Sequence, residues 1–311
     1  MSHLPNTDLD VFPLCLGGNV FGWTIDEAAS FEVLDAYAEA GGNFIDTADV
    51  YSSWSEQGAG ISETIIGRWM AARGNREEFV IATKVGKAPG VEGLSAKAIR
   101  LAAEASLERL GIERIDLYYA HSDDPETPLE ETLGTFGELI AEGKVRHVAA
   151  SNYSAERLEQ ALEVGRGAGM ASYVALQPYY NLMERGRYEG PLADLAARHD
   201  VACIPYYALA MGFLTGKYRP GGPEIQSPRA RGVRDAYLNE RGVAVLEALD
   251  QIAAAHQSTP AAVSLAWLLA QPTVLAPIAS ATSTGQVAEL AACVELELTA
   301  GELEALSQAS G

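Results

Sequence analysis

Basic side chains are scarce in this chain of 311 residues. It has 22 lysines and arginines against 42 aspartates and glutamates, which gives a formal net charge of −20. A surface of this sign repels nucleic acid and anionic membranes, so we expect neither as a partner. The acidity does not exclude an anionic small ligand, because a few local cations can make a positive pocket.

Cysteines are also few. Three occur, at Cys15, Cys203 and Cys293, and no C-x-x-C pair is present. Cys15 and Cys203 lie in apolar runs, which indicates packed thiols, and the odd count favours a reducing, cytoplasmic location. The N-terminal segment lacks the basic flank and apolar core of a signal peptide. No apolar run reaches the length that a membrane span needs.

Eight short runs rich in apolar and β-branched residues are present, and each is typical of a strand buried on both faces. Amphipathic segments lie between them, most with a Ser or Thr near the start and a Gly at the end, as in helices. The predicted strands are 13–18, 43–49, 79–85, 115–121, 145–152, 173–180, 201–207 and 274–280. The predicted helices are 26–41, 62–74, 95–111, 127–143, 154–169, 259–271 and 283–294.

Strands that alternate with helices predict an α/β fold, a (β/α)8 TIM barrel, as a single domain over residues 1–311. We expect a short N-terminal β-hairpin to close its bottom. The competing doubly wound fold would place G-x-G-x-x-G directly after a strand, and no such motif is found there. "GRGAGM" (165–170) ends a helix instead. The stretch 216–237 is too long for a simple connection and carries clustered arginines, which is typical of a functional loop.

Polar residues gather at the carboxyl ends of the predicted strands, where barrel active sites lie. Asp46 and Tyr51 follow the second strand, Lys84 lies in the third and His121 ends the fourth. Adjacent strands are about 4.8 Å apart, so Asp46 and Lys84 can neutralise each other. Each residue alone has an ordinary explanation: a turn-forming Asp, a solvent-reaching Lys, a structural His or a packed Tyr. Their combination at successive strand ends favours a catalytic group.

The chemistry of these four residues is that of a proton-donating pocket. A free tyrosine has a pKa of about 10, so it is a weak acid near pH 7. A cation beside Tyr51 would favour its phenolate, and Lys84, held by Asp46, is expected to lower the tyrosine pKa. His121 can donate a hydrogen bond to the same substrate oxygen. Such a pocket would stabilise a developing alkoxide.

The chain resembles the aldo-keto reductases over nearly its whole length. Its segments "GGNFIDTADVYS", "VIATKVG", "LYYAHSDDPETPLEETL", "GKVRHVAASNYS", "LQPYYNL" and "PYYALAMGFLTGKY" look like the successive strand-end segments of that family. The resemblance implies a barrel that binds a nicotinamide dinucleotide in an extended form, without a Rossmann domain. It also implies that Tyr51 is the general acid, that Lys84 and Asp46 tune it, and that His121 orients the carbonyl.

The resemblance further implies a set of cofactor contacts. Ser151, Asn152 and Gln177 would hold the carboxamide, and Tyr206 would stack on the nicotinamide ring, which suits the chemistry of an amide and a planar ring. The other expected cofactor-binding residues are Asn19, Tyr207, Leu209, Gly212, Lys217, Arg229, Ser280, Thr282, Gln286 and Glu289.

The sequence departs from the family pattern in two places. Tyr207-Ala208 stands where many relatives have Ser-Pro. The adenosine-phosphate segment offers hydroxyls and an amide where relatives often have Lys or Arg. We expect Lys217 with Arg229 or Arg231 to fold over the cofactor as a clasp and to supply the missing cation. NADPH is therefore the expected cofactor, with NADH possible.

The sequence predicts a cytoplasmic NAD(P)H-dependent carbonyl reductase that acts on a small aldehyde or ketone, or on the alcohol in reverse. The alternative is a nucleotide-sensing regulatory subunit, like the channel-associated relatives on this scaffold. A barrel hydrolase would need paired carboxylates or a metal cluster, and "HSDD" (121–124) offers only one His. Trp23, Trp54 and Tyr153 are expected to line a pocket for an apolar or ring-containing substrate, although each could be ordinary loop packing.

Overall fold

A short hairpin begins the chain. The computed structural model describes residues 1–55, 58–227 and 229–311. Strands β1 (Ser2–His3) and β2 (Asp10–Val11) pair antiparallel. Leu4, Leu9 and Val11 from this hairpin are buried in the same apolar cluster as the first inward-facing residues of the later strands. The hairpin therefore closes the bottom of the barrel, as predicted.

Over the described residues, eight parallel strands follow the hairpin. They are β3 (Cys15–Gly17), β4 (Phe44–Asp46), β5 (Val80–Val85), β6 (Ile115–Ala120), β7 (Val145–Ser151), β8 (Tyr173–Gln177), β9 (Ala202–Cys203) and β10 (Ile278–Ala279). Their order in the sheet is β10-β3-β4-β5-β6-β7-β8-β9. Backbone hydrogen bonds join the two ends of this order, from Leu275 N to Cys203 O and from Ile278 N to Pro205 O, each 2.9 Å. The sheet is thereby closed, and the predicted (β/α)8 barrel is confirmed.

Helices cover the outside of the barrel. They are α1 (Glu27–Glu39), α2 (Ile61–Arg73), α3 (Ala96–Leu110), α4 (Leu129–Ala141), α5 (Ala155–Val164), α6 (Pro191–Arg198), α7 (Ala230–Tyr237), α8 (Glu240–Ala255), α9 (Pro260–Leu269), α10 (Thr284–Ala291) and α11 (Ala300–Ala309). Helices α6, α8 and α11 were not predicted from the sequence. Helix α7 lies inside the stretch 216–237, which was expected to be irregular. Over the described residues, no helix is both long and apolar enough to cross a bilayer.

The helix starts show which predicted caps are real. The Ser95 and Ser154 side chains each accept a backbone N–H in the first turn of α3 and α5, as predicted. Ser62 does not cap α2, because that helix begins two residues earlier than predicted. Its N-cap is Gly60, whose φ of 80° is left-handed and costs glycine little. The Ser62 hydroxyl donates instead to Gly18 O, at 2.8 Å.

The inward-facing positions of the strands change from apolar to polar toward the carboxyl end of the barrel. Side chains of a strand alternate between its two faces, so each second residue points inward. The lower inward positions are apolar and mostly small, and the next inward position toward the carboxyl end is polar. This step leads from Phe44 to Asp46, from Ala82 to Lys84, from Tyr119 to His121, from Ala149 to Ser151 and from Ala175 to Gln177.

Candidate active site

Asp46, Lys84 and Tyr51 form one hydrogen-bonded cluster at the carboxyl ends of β4 and β5. We call this end of the barrel the upper end. Lys84 Nζ lies 2.7 Å from Asp46 Oδ2 and 2.9 Å from the Tyr51 hydroxyl oxygen. The Lys84 side chain is 0% exposed and that of Asp46 is 2% exposed. The structure therefore brings together the pair that the sequence predicted to be neighbours.

The buried charges are well satisfied by hydrogen bonds. An ammonium group has three N–H donors, and the third acceptor near Lys84 Nζ is the Thr47 carbonyl oxygen, at 2.6 Å. The second oxygen of Asp46 accepts a hydrogen bond from Gln177 Nε2, at 2.9 Å. Taking two ions out of water costs several kcal/mol for each, and only good geometry offsets this. The cluster meets that requirement.

The Tyr51 hydroxyl is held as a neutral phenol. Burial raises the pKa of Tyr51 well above its ordinary value, and the Asp46 carboxylate raises this pKa further. The sequence led us to expect a lowered pKa for Tyr51, and this is wrong: its pKa is raised, chiefly by burial and by the Asp46 carboxylate. A neutral phenol is the form that can donate a proton. Lys84 directs an N–H at the phenol oxygen, so it stabilises negative charge that develops there.

His121 lies beside Tyr51 and is neutral. The two rings meet edge to face, with centroids 6.3 Å apart. Burial lowers the pKa of His121 well below its ordinary value, and the charges of Lys84 and Lys87 lower it further. A neutral imidazole carries one N–H and can donate one hydrogen bond. His121 can therefore orient a substrate oxygen without adding a positive charge.

A cavity of about 1210 Å³ opens above this cluster, and Asp46, Tyr51 and His121 form part of its lining. Lys84 does not line the cavity, and its ammonium contacts Asp46 and Tyr51, which do. All the residues expected to bind cofactor also line the cavity: Asn19, Ser151, Asn152, Gln177, Tyr206, Tyr207, Leu209, Gly212, Lys217, Arg229, Ser280, Thr282, Gln286 and Glu289.

The residues expected to hold a carboxamide are linked to one another. Asn152 adopts a left-handed φ of 57°, a conformation that Asn tolerates better than most residues. The turn places its amide between two neighbours. Asn152 Nδ2 donates to His121 O at 2.9 Å, Tyr206 OH donates to Asn152 Oδ1 at 2.8 Å, and Ser151 Oγ donates to Gln177 O at 2.9 Å.

The loop after β9 is strained where it lines the cavity. The Tyr206 ring stacks on Tyr179, with centroids 5.3 Å apart and planes 26° apart. Beyond it the backbone has φ values of 52° at Tyr207, 47° at Ala210 and 55° at Met211. Left-handed φ costs a non-glycine residue about 1–2 kcal/mol. Strain of this kind clusters at ligand sites, where the surrounding structure maintains it.

Two cations of the 216–237 stretch reach the cavity. The Arg229 guanidinium carbon lies 4.8 Å from the centroid of the Trp23 ring and 5.8 Å from that of Tyr207. Lys217 also lines the cavity. The Arg231 side chain is 96% exposed and lies 3.9 Å from Asp235. The structure therefore favours Lys217 and Arg229 for the predicted clasp and excludes Arg231 from it.

Two of the three residues predicted to line the substrate pocket lie in the cavity. The Trp23 and Trp54 rings meet edge to face at 5.4 Å, and both line the cavity. Tyr153 does not line it, so this expectation is wrong. Tyr153 is 4% exposed, and its hydroxyl lies 3.0 Å from that of Tyr173. A tyrosine that finds a hydroxyl partner can be buried in the core.

The far wall of the cavity carries hydroxyl and amide groups. Gln286 Oε1 accepts hydrogen bonds from Thr282 N, at 2.8 Å, and from Thr282 Oγ1, at 3.1 Å. Ser280 Oγ lies 2.5 Å from Asn19 Oδ1. These groups can bind a ribose or a phosphate through hydrogen bonds alone, so positive charge for a phosphate would have to come from cations elsewhere in the lining, such as Lys217 or Arg229.

Two residues of the site were not identified from the sequence. Lys87 lines the cavity, and Asp49 is buried near the cluster without lining the cavity. The available signal for Asp49 was a second acidic residue between Asp46 and Tyr51. In a segment of small polar residues, that position is easily attributed to an exposed turn.

The chain is similar in sequence to several known proteins. The model of the Aldo/keto reductase family matches residues 13–310. The chain is 33% identical to the uncharacterized oxidoreductase YrpG of Bacillus subtilis, over 96% of this chain and 91% of that protein. It is 34% identical to a putative voltage-gated potassium channel subunit beta of Schizosaccharomyces pombe, over 83% and 76%. It is 32% identical to the aldo-keto reductase yakc [NADP(+)] of the same yeast, over 85% and 77%.

Proposed function

The chain belongs to the aldo/keto reductase family, and we propose that it is a nicotinamide-dependent carbonyl reductase. The observation that carries this proposal is the phenol of Tyr51, which faces a large cavity while a buried ammonium lies 2.9 Å behind its oxygen. A structural tyrosine has no need of a buried ion pair. A proton donor does, because its oxygen becomes negative during the reaction.

The residues of the cavity fit a nicotinamide dinucleotide. A bound nicotinamide would supply the hydride. The side-chain amides of Asn152 and Gln177 both line the cavity and suit its carboxamide, and the ring of Tyr206 offers an aromatic face. Lys217 and Arg229 have no carboxylate partner among the described residues, so both can meet phosphate groups.

The protein side of the reaction follows from the described contacts. Tyr51 donates its proton to the substrate oxygen, and Lys84 stabilises the phenolate that results. Asp46 holds the ammonium of Lys84 in place. His121 donates a hydrogen bond that orients the carbonyl. The aromatic pair of Trp23 and Trp54 packs against the rest of the substrate, which favours apolar or ring-containing carbonyl compounds.

The proposed cofactor is NADPH, with weak discrimination against NADH. One relative is named as NADP(+)-dependent, and Arg229 offers the planar fork that binds phosphate oxygens well. The far wall offers the hydroxyl and amide groups of Ser280, Thr282 and Gln286 and no cation among its described residues. A 2′-phosphate is nearly doubly negative and normally meets a cation there. The preference for NADPH is therefore expected to be modest.

A regulatory role is the second candidate, because one relative is named as a potassium channel subunit beta. The complete catalytic cluster favours turnover over pure sensing. The test is oxidation of NADPH with 4-nitrobenzaldehyde or 9,10-phenanthrenequinone, followed by absorbance and compared with direct titration of cofactor binding. Turnover with either substrate supports the reductase. Tight cofactor binding without turnover on any carbonyl compound would favour the regulatory role.

A further inference from the structure

Asp49 is a buried carboxyl group outside the ion pair of the active site. The residue is 1% exposed, and neither carboxyl oxygen has a hydrogen-bond partner among the described residues. Within the described part of the chain, the other three buried acids are paired: Asp46 with Lys84, Glu63 with Arg109, and Asp116 with Arg76 and Arg146. An unpartnered buried polar group is rare and calls for an explanation.

The position of Asp49 ties it to the catalytic cluster. It lies between Asp46 and Tyr51 in the chain, and its backbone N–H donates to Lys84 O, at 3.4 Å. The groups that act on its carboxyl come from several elements. They are Glu63 on α2, Arg109 on α3, Lys84 on β5, Lys87 after β5, and Tyr118 on β6.

Arg109, the cation that acts most strongly on the Asp49 carboxyl, is already paired with another carboxylate. Arg109 Nε lies 2.7 Å from Glu63 Oε2, and Thr83 Oγ1 donates to Glu63 Oε1 at 2.6 Å. Asp49 therefore has a carboxylate neighbour and no cation of its own. Burial raises the pKa of Asp49 to about 7, and Glu63 raises it while Arg109 and Lys84 lower it. Its charge therefore changes within the neutral range.

We propose that Asp49 is a positioning residue whose neutral form permits proton donation by Tyr51 and whose carboxylate form suppresses it. This inference rests on the proposed reductase function. Asp49 does not line the cavity, so it acts through Lys84. A negative charge on Asp49, whose carboxyl and the Lys84 ammonium act on each other, would offset the field of that ammonium at the phenol oxygen. The phenolate left by proton donation would then be less stable, and reduction would slow.

The first measurement needs no turnover. Tyrosines are labelled with carbon-13 at Cζ, and the Tyr51 resonance is assigned by its loss in Tyr51→Phe. The resonance is followed from about pH 5 to about pH 9, and ionisation of a neighbour displaces it. In the wild type we expect an inflection near pH 7, the pKa of Asp49. Asp49→Asn and the similarly shaped Asp49→Leu should both abolish it.

The second measurement is the pH dependence of kcat for NADPH-dependent reduction of 4-nitrobenzaldehyde. In the wild type, kcat should fall about tenfold above pH 7, the equivalent of one pKa unit on Tyr51. In the Asp49 variants this fall should disappear. Asp116→Asn is the matched control, since it also neutralises a buried aspartate, and it should keep the inflection of the wild type.

Each outcome of these measurements supports or overturns the proposed coupling of Asp49 to Tyr51. An inflection of the Tyr51 resonance that persists in both Asp49 variants would show that another group titrates, and a flat wild-type resonance would show that none is coupled. Either result overturns the proposal. If no variant and no wild-type sample turns over substrate, yet the inflection depends on Asp49, the reductase function fails while the coupling of Asp49 to Tyr51 stands.

Discussion

The buried aspartates at the two ends of the barrel differ in their partners. At the lower end, Asp116 is 2% exposed at its side chain and is bonded to Arg76 at 2.7 Å and to Arg146 at 3.0 Å. It also accepts the backbone N–H of Ile81 at 2.9 Å. At the upper end, Asp46 shares one buried lysine with a tyrosine, and Asp49 has no partner among the described residues.

This difference separates stability from reactivity. A carboxylate with two guanidinium partners has its charge fully compensated, so it holds elements together and does little else. Where the cation of a carboxylate also contacts a phenol, its positive charge is only partly compensated. The remaining electrostatic field can act on a substrate. Perturbed ionisable groups gather at functional sites for this reason. At the upper end of this chain, the pKa values of Tyr51, His121 and Asp49 are all shifted from their ordinary values.

The sharpest test of the upper end is Tyr51→Phe. The substitution removes the proton donor and keeps the ring, so cofactor should still bind while kcat falls by about 10²–10⁴-fold. Steady-state kinetics and cofactor titration check this together. Near wild-type rates of aldehyde reduction would remove Tyr51 from the mechanism and with it the contrast between the two ends.

Lys84→Met tests whether the upper ion pair is also structural. Removing the ammonium leaves Asp46 buried without a cation, so the variant should lose roughly 3–5 kcal/mol of unfolding free energy and most of its activity. Chemical denaturation measures the first effect and steady-state kinetics the second. Unchanged stability would contradict the buried pair described for this site.

Asp116→Asn is the corresponding change at the lower end. It removes a charge that two arginines share, and each arginine side chain is about one-fifth exposed. The arginines can therefore turn toward water, and we expect a smaller loss of roughly 1–3 kcal/mol in unfolding free energy. The catalytic constants should stay at their wild-type values. A large fall in kcat with stability preserved would show that the two ends are not separate.

Arg229→Ala has the smallest expected effect and concerns only the choice of cofactor. If Arg229 meets a phosphate of NADPH, the ratio of kcat/KM for NADPH over NADH should fall about tenfold, or roughly 1.4 kcal/mol. Arg231→Ala is the matched control, since its side chain points to solvent. Equal ratios in both variants and the wild type would leave the clasp without a role in cofactor choice.

The sequence predicted those parts of the site that depend on strand periodicity. Asp46, Lys84, His121 and Gln177 occupy inward positions at strand ends, and a period of two locates such positions without coordinates. Tyr153 was misplaced because it follows a strand in a loop, where no period decides which way a side chain turns. Asp49 was missed for a related reason: whether a loop carboxyl is buried depends on α2 and α3, which are distant in sequence.

The seam that closes the barrel has a thermodynamic consequence. Strands β9 and β10 have two residues each, whereas β6 and β7 pair over five positions. Tyr206 follows one side of this seam and Ser280 the other, and both line the same cavity. A ligand that contacts both would connect the two sides of the joint that closes the ring. Part of its binding free energy would then appear as resistance of the whole barrel to unfolding.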